Sequence, residues 1–258
     1  MSALHPDFLR LPIAHRGYHD KRDGRPENTI AAIEAAVAAG YGVEFDLQPS
    51  SDGVPMVFHD YDLMRMADEQ GYLADISAEE LGKTILTGHD KGIPTLAEVL
   101  EIVAGRVPLL IEIKDQDGKM GPNVGPFEQT VAEVLGGYEG PFAVMSFNPY
   151  SVAAMHKAMP DATVGLVTCD FPADDWPMLD ADAREHLARI GDFDRVGASF
   201  ISHHHKDLHN PRVTALKADG VPILCWTIRS PEAEAEARKV ADNITFEGYA
   251  AAMPGPAA

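Results

Sequence analysis

Short apolar runs alternate with segments of helical periodicity along almost the whole chain. The first run covers residues 11–14, and a polar loop follows it. Beyond the loop, Ile30, Ile33 and Val37 recur at the spacing of one helix face. Residues 42–47 then form a short alternating run, which is typical of a strand. The pattern therefore begins with one strand, one helix and a second strand.

This alternation continues to the C-terminal region. Further strands are predicted over 108–113, 142–147, 162–167, 196–201, 221–228 and 243–246. Helices are predicted over 95–103, 127–135, 149–159, 182–190, 211–218 and 231–240. Strands that alternate with helices form parallel sheets. About eight such units in 258 residues predict an α/β fold of the closed (β/α)8 TIM-barrel type.

A doubly wound open sheet is the alternative architecture. Such sheets often bind dinucleotides through a G-x-G-x-x-G turn after the first strand, and this chain carries no such turn there. A dinucleotide site is therefore disfavoured.

One long segment, between the second strand and Thr95, interrupts the alternation. Ser51-Asp52-Gly53 predicts a turn that leads into a short strand at 54–58, and an irregular polar stretch follows over 61–92. Long insertions after barrel strands are usually functional. We interpret residues 48–94 as a small insertion that caps the mouth of a single domain spanning 1–258.

Charge limits the classes of partner. The net charge is −19, from 21 basic and 40 acidic residues, and such a surface repels nucleic acids and anionic lipid headgroups. We therefore expect a small-molecule substrate and no nucleic-acid partner. An anionic substrate would need local positive charge.

The chain carries no sequence signal for export or for a membrane. Cys169 and Cys225 fit two free thiols of a reducing compartment. The first ten residues do not resemble a signal peptide, and no uncharged apolar stretch reaches the roughly 18 residues of a membrane span. We expect a cytoplasmic protein without stable membrane insertion, and its oligomeric state stays open.

Two of the predicted strands carry acids near their ends. Glu44 and Asp46 stand two residues apart, so their side chains leave the same face of the strand, and Glu112 lies on the next barrel strand. Carboxylates that share a buried face repel one another, and a divalent cation removes that cost. Hard oxygen ligands of this kind suit Mg²⁺ or Ca²⁺. The alternative is a solvated strand end without a metal.

Histidines and cations accompany these acids. His15 and His59 each follow an apolar run, and together they can serve as a general acid and a general base, although core histidines are the alternative. Arg16 can grip a phosphate with its planar fork, and Lys114 can supply a compact positive charge. For both cations the alternative is a plain ion pair. Glu27, at a predicted helix start, can turn inward and orient Arg16 or His15.

Aromatic and imidazole side chains also occur near strand ends. Phe147 and Trp226 can form walls of a substrate pocket or pack in the core. His203-His204-His205 follows the predicted sixth strand, but three consecutive side chains cannot all face one ion. A metal role for them is disfavoured, whereas one of them can line the mouth.

The order of these motifs resembles that of glycerophosphodiester phosphodiesterases. The resemblance covers residues 13–246 and rests on His15-Arg16-Gly17, Pro26-Glu27-Asn28-Thr29, Glu44-x-Asp46, His59-Asp60, Pro94-Thr95-Leu96, Glu112-x-Lys114, Ser146-Phe147 and Trp226-Thr227. It implies a (β/α)8 barrel with an insertion after the second strand, and metal-dependent hydrolysis to glycerol 3-phosphate and an alcohol. By motif, it implies that His15 and His59 are the acid–base pair. The remaining roles that it implies are metal binding by Glu44, Asp46 and Glu112 and phosphate binding by Arg16 and Lys114, with Glu27 close by.

Two strand ends depart from the family pattern. The family usually reads Trp-Thr-Val-Asn where this chain reads Trp226-Thr227-Ile228-Arg229, and Thr-Asp where it reads Thr245-Phe246-Glu247-Gly248. Because strand ends shape the pocket, these departures bear on substrate specificity rather than on the reaction.

Our hypothesis is that the glycerol 2-hydroxyl attacks the phosphorus with one histidine as base, while the other protonates the leaving alcohol. The first rival is a lysophospholipase D-like enzyme, which an apolar groove in 61–92 would favour; the sequence there is not clearly apolar. The second is a non-catalytic barrel that binds a phosphorylated metabolite. A sugar-phosphate isomerase or aldolase fits three strand-end carboxylates poorly.

Overall fold

Eight parallel strands close into a barrel in the computed structural model, which describes residues 3–254. The strands are β1 (Ile13–Ala14), β2 (Gly42–Pro49), β3 (Pro55–Val57), β4 (Leu109–Ile113), β5 (Phe142–Ser146), β6 (Thr163–Thr168), β7 (Phe200–His204), β8 (Ile223–Ile228) and β9 (Asn243–Phe246). β1 pairs in parallel with both β2 and β9, which closes the barrel, and β3 pairs antiparallel with β2 outside it. The predicted (β/α)8 fold is confirmed, and the open sheet is excluded.

Helices connect the strands and cover the outside of the barrel. They are α1 (Asp7–Arg10), α2 (Ile30–Ala39), α3 (Met64–Ala67), α4 (Ala78–Leu81), α5 (Leu96–Val103), α6 (Pro126–Leu135), α7 (Pro149–Ala158), α8 (Ala181–Ala188), α9 (Pro211–Ala218) and α10 (Pro231–Ala237). Within the described range, none of these helices is long and apolar enough to cross a membrane. Thr29 caps the N-terminus of α2 by accepting a hydrogen bond from Ala32 N–H. Because Thr29 serves as the cap, the preceding Asn28 is free to reach the barrel interior.

The predicted strand at 196–201 is wrong in its position. β7 begins only at Phe200, and the turn over 191–197 ends at Gly197, which has a φ of +72°. A left-handed residue cannot continue an extended strand. Val196 and Ala198 are nevertheless buried, so their apolar character reflects packing. The shift places His203 and His204 on the strand itself.

Alternation along the strands divides the barrel into two apolar layers. In β4, Leu109, Ile111 and Ile113 belong to the large cluster between barrel and helices, whereas Leu110 belongs to the cluster inside the barrel. Phe8 of α1 joins that inner cluster and is fully buried, so it plugs the N-terminal end of the barrel. Glu112 lies one step beyond Leu110 on the same face. The open end of the barrel is therefore its C-terminal end.

The segment between β2 and α5 is more ordered than its polar sequence indicates. It contains α3, α4 and a 3-10 turn at Leu73–Asp75. A separate apolar cluster holds it together, made of Met56, Phe58, Leu63, Met66, Leu73, Leu81, Leu86 and Ile93. These residues lack a regular period, which is why the pattern predicts no element there. Phe58 N–H donates to Asp46 O at 3.0 Å, and this bond carries the next residue, His59, to the barrel mouth.

We predict that Gly165→Ala destabilises the fold, because a Cβ at Gly165 would lie 2.5 Å from the ring of Phe200. Overpacking of this kind costs about 1–3 kcal/mol of unfolding free energy, which in a chain of this size lowers Tm by roughly 2–4 °C per kcal/mol. Differential scanning calorimetry measures the change. Adding Phe200→Leu should restore part of the loss. Gly137→Ala is the control, since a Cβ there meets nothing within 4 Å; equal Tm changes for the two alanine variants would contradict the packing argument.

Candidate active site

A cavity of about 170 Å³ opens at the C-terminal ends of the barrel strands, and we call it the mouth cavity. It brings together nine of the ten predicted site residues, namely His15, Arg16, Glu44, Asp46, His59, Glu112, Lys114, Phe147 and Trp226. Glu27, the tenth, lies behind Arg16. Active sites of (β/α)8 barrels lie at this same end.

Three buried carboxylates form the floor of the mouth cavity. Glu44 and Asp46 are each 1 % exposed and Glu112 is 7 % exposed, and one oxygen of each lies within 4.8 Å of the others. Burial raises the pKa of Glu44 well above its ordinary value, and the charges of Asp46 and Glu112 raise it further. Burial also opposes ionisation of Asp46, but nearby positive groups hold its pKa below the ordinary range. A carboxyl that resists ionisation beside two carboxylates fits a position that a divalent cation would neutralise.

Two permanent cations compensate part of this negative charge. Lys114 Nζ lies 2.7 Å from Glu112 Oε1 and 3.4 Å from Asp46 Oδ1. Arg16 Nε lies 3.5 Å from Asp46 Oδ2. Burial by itself would lower the pKa of Lys114, but the charges of Glu112 and Asp46 raise it, so the ammonium group stays protonated. Two cations against three carboxylates leave the floor short of positive charge.

The backbone and Asn28 fix the positions of the acids. Arg16 N–H donates to Glu44 Oε2 at 2.9 Å, and Asn28 Nδ2 donates to Asp46 Oδ2 at 2.9 Å. Both donors come from the loop after β1, where Arg16 and Asn28 have positive φ values of 56° and 57°. This left-handed backbone is uncommon outside glycine, and here it turns both donors toward the acids.

His15 is held by an acid that the sequence does not identify as part of the site. Its Nδ1 lies 2.5 Å from Glu247 Oε2, and Arg229 Nε donates to Glu247 Oε1 at 2.8 Å. Because a carboxylate only accepts, Nδ1 carries the proton and Nε2, 3.9 Å from Glu44 Oε2, faces the cavity without one. Burial lowers the pKa of His15 despite the hydrogen bond from its ring to Glu247, which favours the neutral imidazole. Arg229 and Glu247 come from the two strand ends that depart from the family pattern, and a hydrogen bond joins them.

His59 is anchored by a different network. Its Nδ1 lies 2.6 Å from Asp60 Oδ1, and Arg65 donates to both Asp60 and Glu27. Burial would raise the pKa of Asp60, but the hydrogen bonds of His59 and Arg65 hold it below the ordinary range. Arg65 comes from α3 of the insertion, so this insertion supports one of the two histidines.

Glu27 acts on the site through Arg16 rather than from the wall of the cavity. Its Oε1 accepts from Arg16 Nη1 at 2.6 Å and from Arg65 Nη2 at 2.7 Å, and its Oε2 accepts from Arg65 Nη1 at 2.9 Å. Burial by itself would raise the pKa of Glu27, but the hydrogen bonds and charges of the two arginines lower it to about 2. Glu27 therefore holds the guanidinium of Arg16 from behind.

Aromatic side chains form one side of the mouth cavity. Phe147 and Trp226 both line it, with ring centroids 5.5 Å apart. Of the three consecutive histidines, His203 is buried against Thr168 and Asp207, whereas the ring of His204 stacks on Trp226 at 4.9 Å. The site thus extends past Trp226 toward His204.

Unpaired buried polar atoms concentrate in this cavity. Among the described residues, five buried side-chain atoms have no hydrogen-bond partner, and three of them belong to the cavity wall: Arg16 Nε, Ser202 Oγ and Thr245 Oγ1. Buried polar groups are normally paired, so these three atoms give the cavity wall unused hydrogen-bonding capacity. Sequence reasoning missed Ser202 and Thr245, since a single hydroxyl in a strand carries no motif.

We predict that Glu27→Gln lowers stability at pH 7 by up to about 3 kcal/mol, and by much less near pH 2. The folded pKa of about 2 lies below the ordinary 4.5, so the ionised group stabilises the fold fully above about pH 4.5. That contribution fades as the pH falls toward 2. Urea unfolding of both proteins between pH 7 and about pH 2 measures it. Glu101→Gln, at an exposed position of α5, is the control. If the unfolding free energies of the wild type and Glu27→Gln differ by the same amount at every pH, the prediction is contradicted.

Known proteins resemble this chain in sequence over most of its length. A profile of the glycerophosphoryl diester phosphodiesterase family matches residues 15–244. A glycerophosphodiester phosphodiesterase of Caldanaerobacter subterraneus subsp. tengcongensis is 30 % identical over 232 residues, which are 86 % of this chain and 87 % of the relative.

Solved structures resemble this chain in fold. A glycerophosphodiester phosphodiesterase from Parabacteroides distasonis has the same fold, with a TM-score of 0.73 at 23 % identity and 92 % coverage of both chains. A phosphodiesterase of Oleispira antarctica, in complex with the product sn-glycerol-3-phosphate, gives a TM-score of 0.71 at 26 % identity, covering 92 % of this chain and 93 % of the other. With a profile match across most of its length, the chain belongs to the glycerophosphoryl diester phosphodiesterase family.

Proposed function

We propose that the protein is a metal-dependent phosphodiesterase that hydrolyses glycerophosphodiesters to sn-glycerol 3-phosphate and an alcohol. The observation that carries the proposal is the mouth cavity, where three buried carboxylates, two permanent cations and two imidazoles meet. The solved relative that contains sn-glycerol-3-phosphate supports the choice of product.

Glu44, Asp46 and Glu112 are the residues that would hold a divalent cation, Mg²⁺ or Ca²⁺. When bound, the cation supplies Lewis-acid polarisation of the phosphate oxygens. The three oxygens lie close enough to share one ion, and the raised pKa of Glu44 indicates that the floor has spare negative charge. Arg16 and Lys114 bind the phosphate from the same side, since both point at the acids.

The two histidines move the protons of the reaction. The glycerol 2-hydroxyl gives its proton to one imidazole and attacks the phosphorus, the bond to the leaving alcohol breaks, and the other imidazole protonates that alcohol. Water then opens the cyclic phosphate with the two roles reversed. A neighbouring hydroxyl held in place reacts with a high effective concentration. His15, neutral and with Nε2 free, meets the requirement for either role.

The experiment that tests the proposal is release of glycerol 3-phosphate from glycerophosphocholine and glycerophosphoethanolamine. We expect turnover that EDTA abolishes and that Mg²⁺ or Ca²⁺ restores. The matched variant Asp46→Asn should lose metal binding by calorimetry, because one of the three oxygens loses its charge. Metal-independent binding of glycerol phosphate without turnover would instead support the non-catalytic barrel.

We predict that His15→Ala and His59→Ala each lower kcat by about 10²–10⁴-fold, as is typical of general acid–base groups. Glu247→Gln should lower kcat less, because the amide can still hydrogen-bond Nδ1 of His15 but loses the charge that fixes its tautomer. Steady-state kinetics at saturating metal measures all three, with His209→Ala at an exposed position as the control. Near-full rates for both histidine variants would refute the mechanism.

A lysophospholipase D-like activity is the second candidate, and one observation favours it. An apolar cleft of about 360 Å³ lies between the insertion and the loop after β4, and Tyr72 and Met178 in its wall are 63 % and 61 % exposed. The stretch 61–92, which reads as polar in the sequence, therefore contributes an exposed apolar side chain to this cleft. Relative rates on glycerophosphocholine and lysophosphatidylcholine separate the two activities.

A further inference from the structure

A second cavity adjoins the mouth cavity, and we call it the outer cavity. Its volume is about 330 Å³, and Trp226 lines both cavities. The outer cavity extends from Trp226 to Trp176 and His204, beyond the carboxyl ends of β6, β7 and β8. None of the roles assigned above uses its other residues.

The mouth cavity is too small to hold every part of a diester. At about 170 Å³ it is smaller than the roughly 300–1,000 Å³ of typical ligand sites. Its polar groups suit the phosphate, through Arg16 and Lys114, and a polyol, through the unpaired hydroxyls of Ser202 and Thr245. The alcohol on the other side of the phosphate is then left for the outer cavity, which shares Trp226 with the mouth cavity and is about twice its volume.

Aromatic rings dominate the boundary between the two cavities. Phe147 lies 5.5 Å from Trp226 and 5.0 Å from Trp176, and His204 lies 4.9 Å from Trp226, measured between ring centroids. Aromatic faces, and those of tryptophan most of all, attract ammonium groups within about 6 Å.

The charge of the outer cavity selects the same kind of group. Three carboxylates line it, those of Asp170, Asp175 and Asp207, against the single ammonium group of Lys206. Among the described residues, the side chains of Asp170 and Asp175 form no hydrogen bond or ion pair, and both act electrostatically on His204 in the same cavity. An anionic alcohol is repelled here, and a cationic one is attracted.

We propose that the outer cavity is a leaving-group subsite for an alcohol that carries an ammonium group. The subsite contributes to catalysis only if the phosphodiesterase function proposed above holds. Binding of the free alcohol does not depend on that function, so the two can be tested apart.

The two tryptophans of the chain make a direct test possible, because both line the outer cavity. Choline is titrated into the metal-loaded protein while tryptophan fluorescence is followed, and 3,3-dimethyl-1-butanol, its uncharged isostere, is titrated in parallel. We expect a saturable change with choline at a Kd roughly five-fold or more below that of the isostere. The double variant Asp170→Asn/Asp175→Asn should lose that preference. Asp174→Asn, an exposed neighbour that does not line the cavity, should keep it.

A turnover arm separates the two proposals. The ratio of kcat/KM for glycerophosphocholine to that for glycerophosphoglycerol should fall in the double variant by about the same factor as the choline preference. Saturable choline binding in a protein that turns over neither diester would support the subsite and overturn the enzymatic proposal. Turnover of both diesters with equal affinity for choline and its isostere would overturn the subsite and leave the enzymatic proposal standing.

Discussion

Repulsion among three buried carboxylates is the constraint on which the rest of the site depends. Glu44, Asp46 and Glu112 project into the barrel because alternation turns every second residue inward, and their strands pair directly, with Asp46 opposite Glu112. The fold cannot separate them without breaking the β2–β4 register. Positive charge must come to them instead, and Arg16, Lys114 and a divalent cation are the groups that can supply it.

This need for positive charge determines the contacts of the side chains around the three acids. Arg16 is drawn toward the acids and needs Glu27 to hold its other edge, and Glu27 in turn binds Arg65 of the insertion. The network is nearly continuous from the barrel floor to α3. Substitutions in the insertion can therefore alter the site even though none of its helices lines the mouth cavity.

Much of the fold and of the mouth cavity was predictable from the sequence, because both follow from local periodicity. The two-residue spacing of Glu44 and Asp46 places their side chains on the same face of the strand. The short apolar run shows where that strand begins and ends. Glu247 escaped prediction because its contact with His15 joins residues 232 positions apart and exists only once β9 closes against β1. The error at β7 has a local cause in Gly197, since apolarity shows burial but not backbone conformation. Ser202 and Thr245 show a third limit: a hydroxyl gains functional meaning only when its neighbours leave it unpaired.

Among residues 3–254, Phe8 closes the N-terminal end of the barrel, so the entrance lies at the opposite end. A diester that enters with its glycerol end first places the alcohol nearer to solvent. After cleavage, the glycerol phosphate would lie behind the alcohol along the barrel. Under the proposed function, the alcohol would then leave before glycerol phosphate, which would lie deepest among the charged groups. Glycerol phosphate would in that case compete with the substrate for the free enzyme, whereas the alcohol would meet an enzyme that still holds the other product. One closed end of the barrel would thus set the order of product release without any moving part.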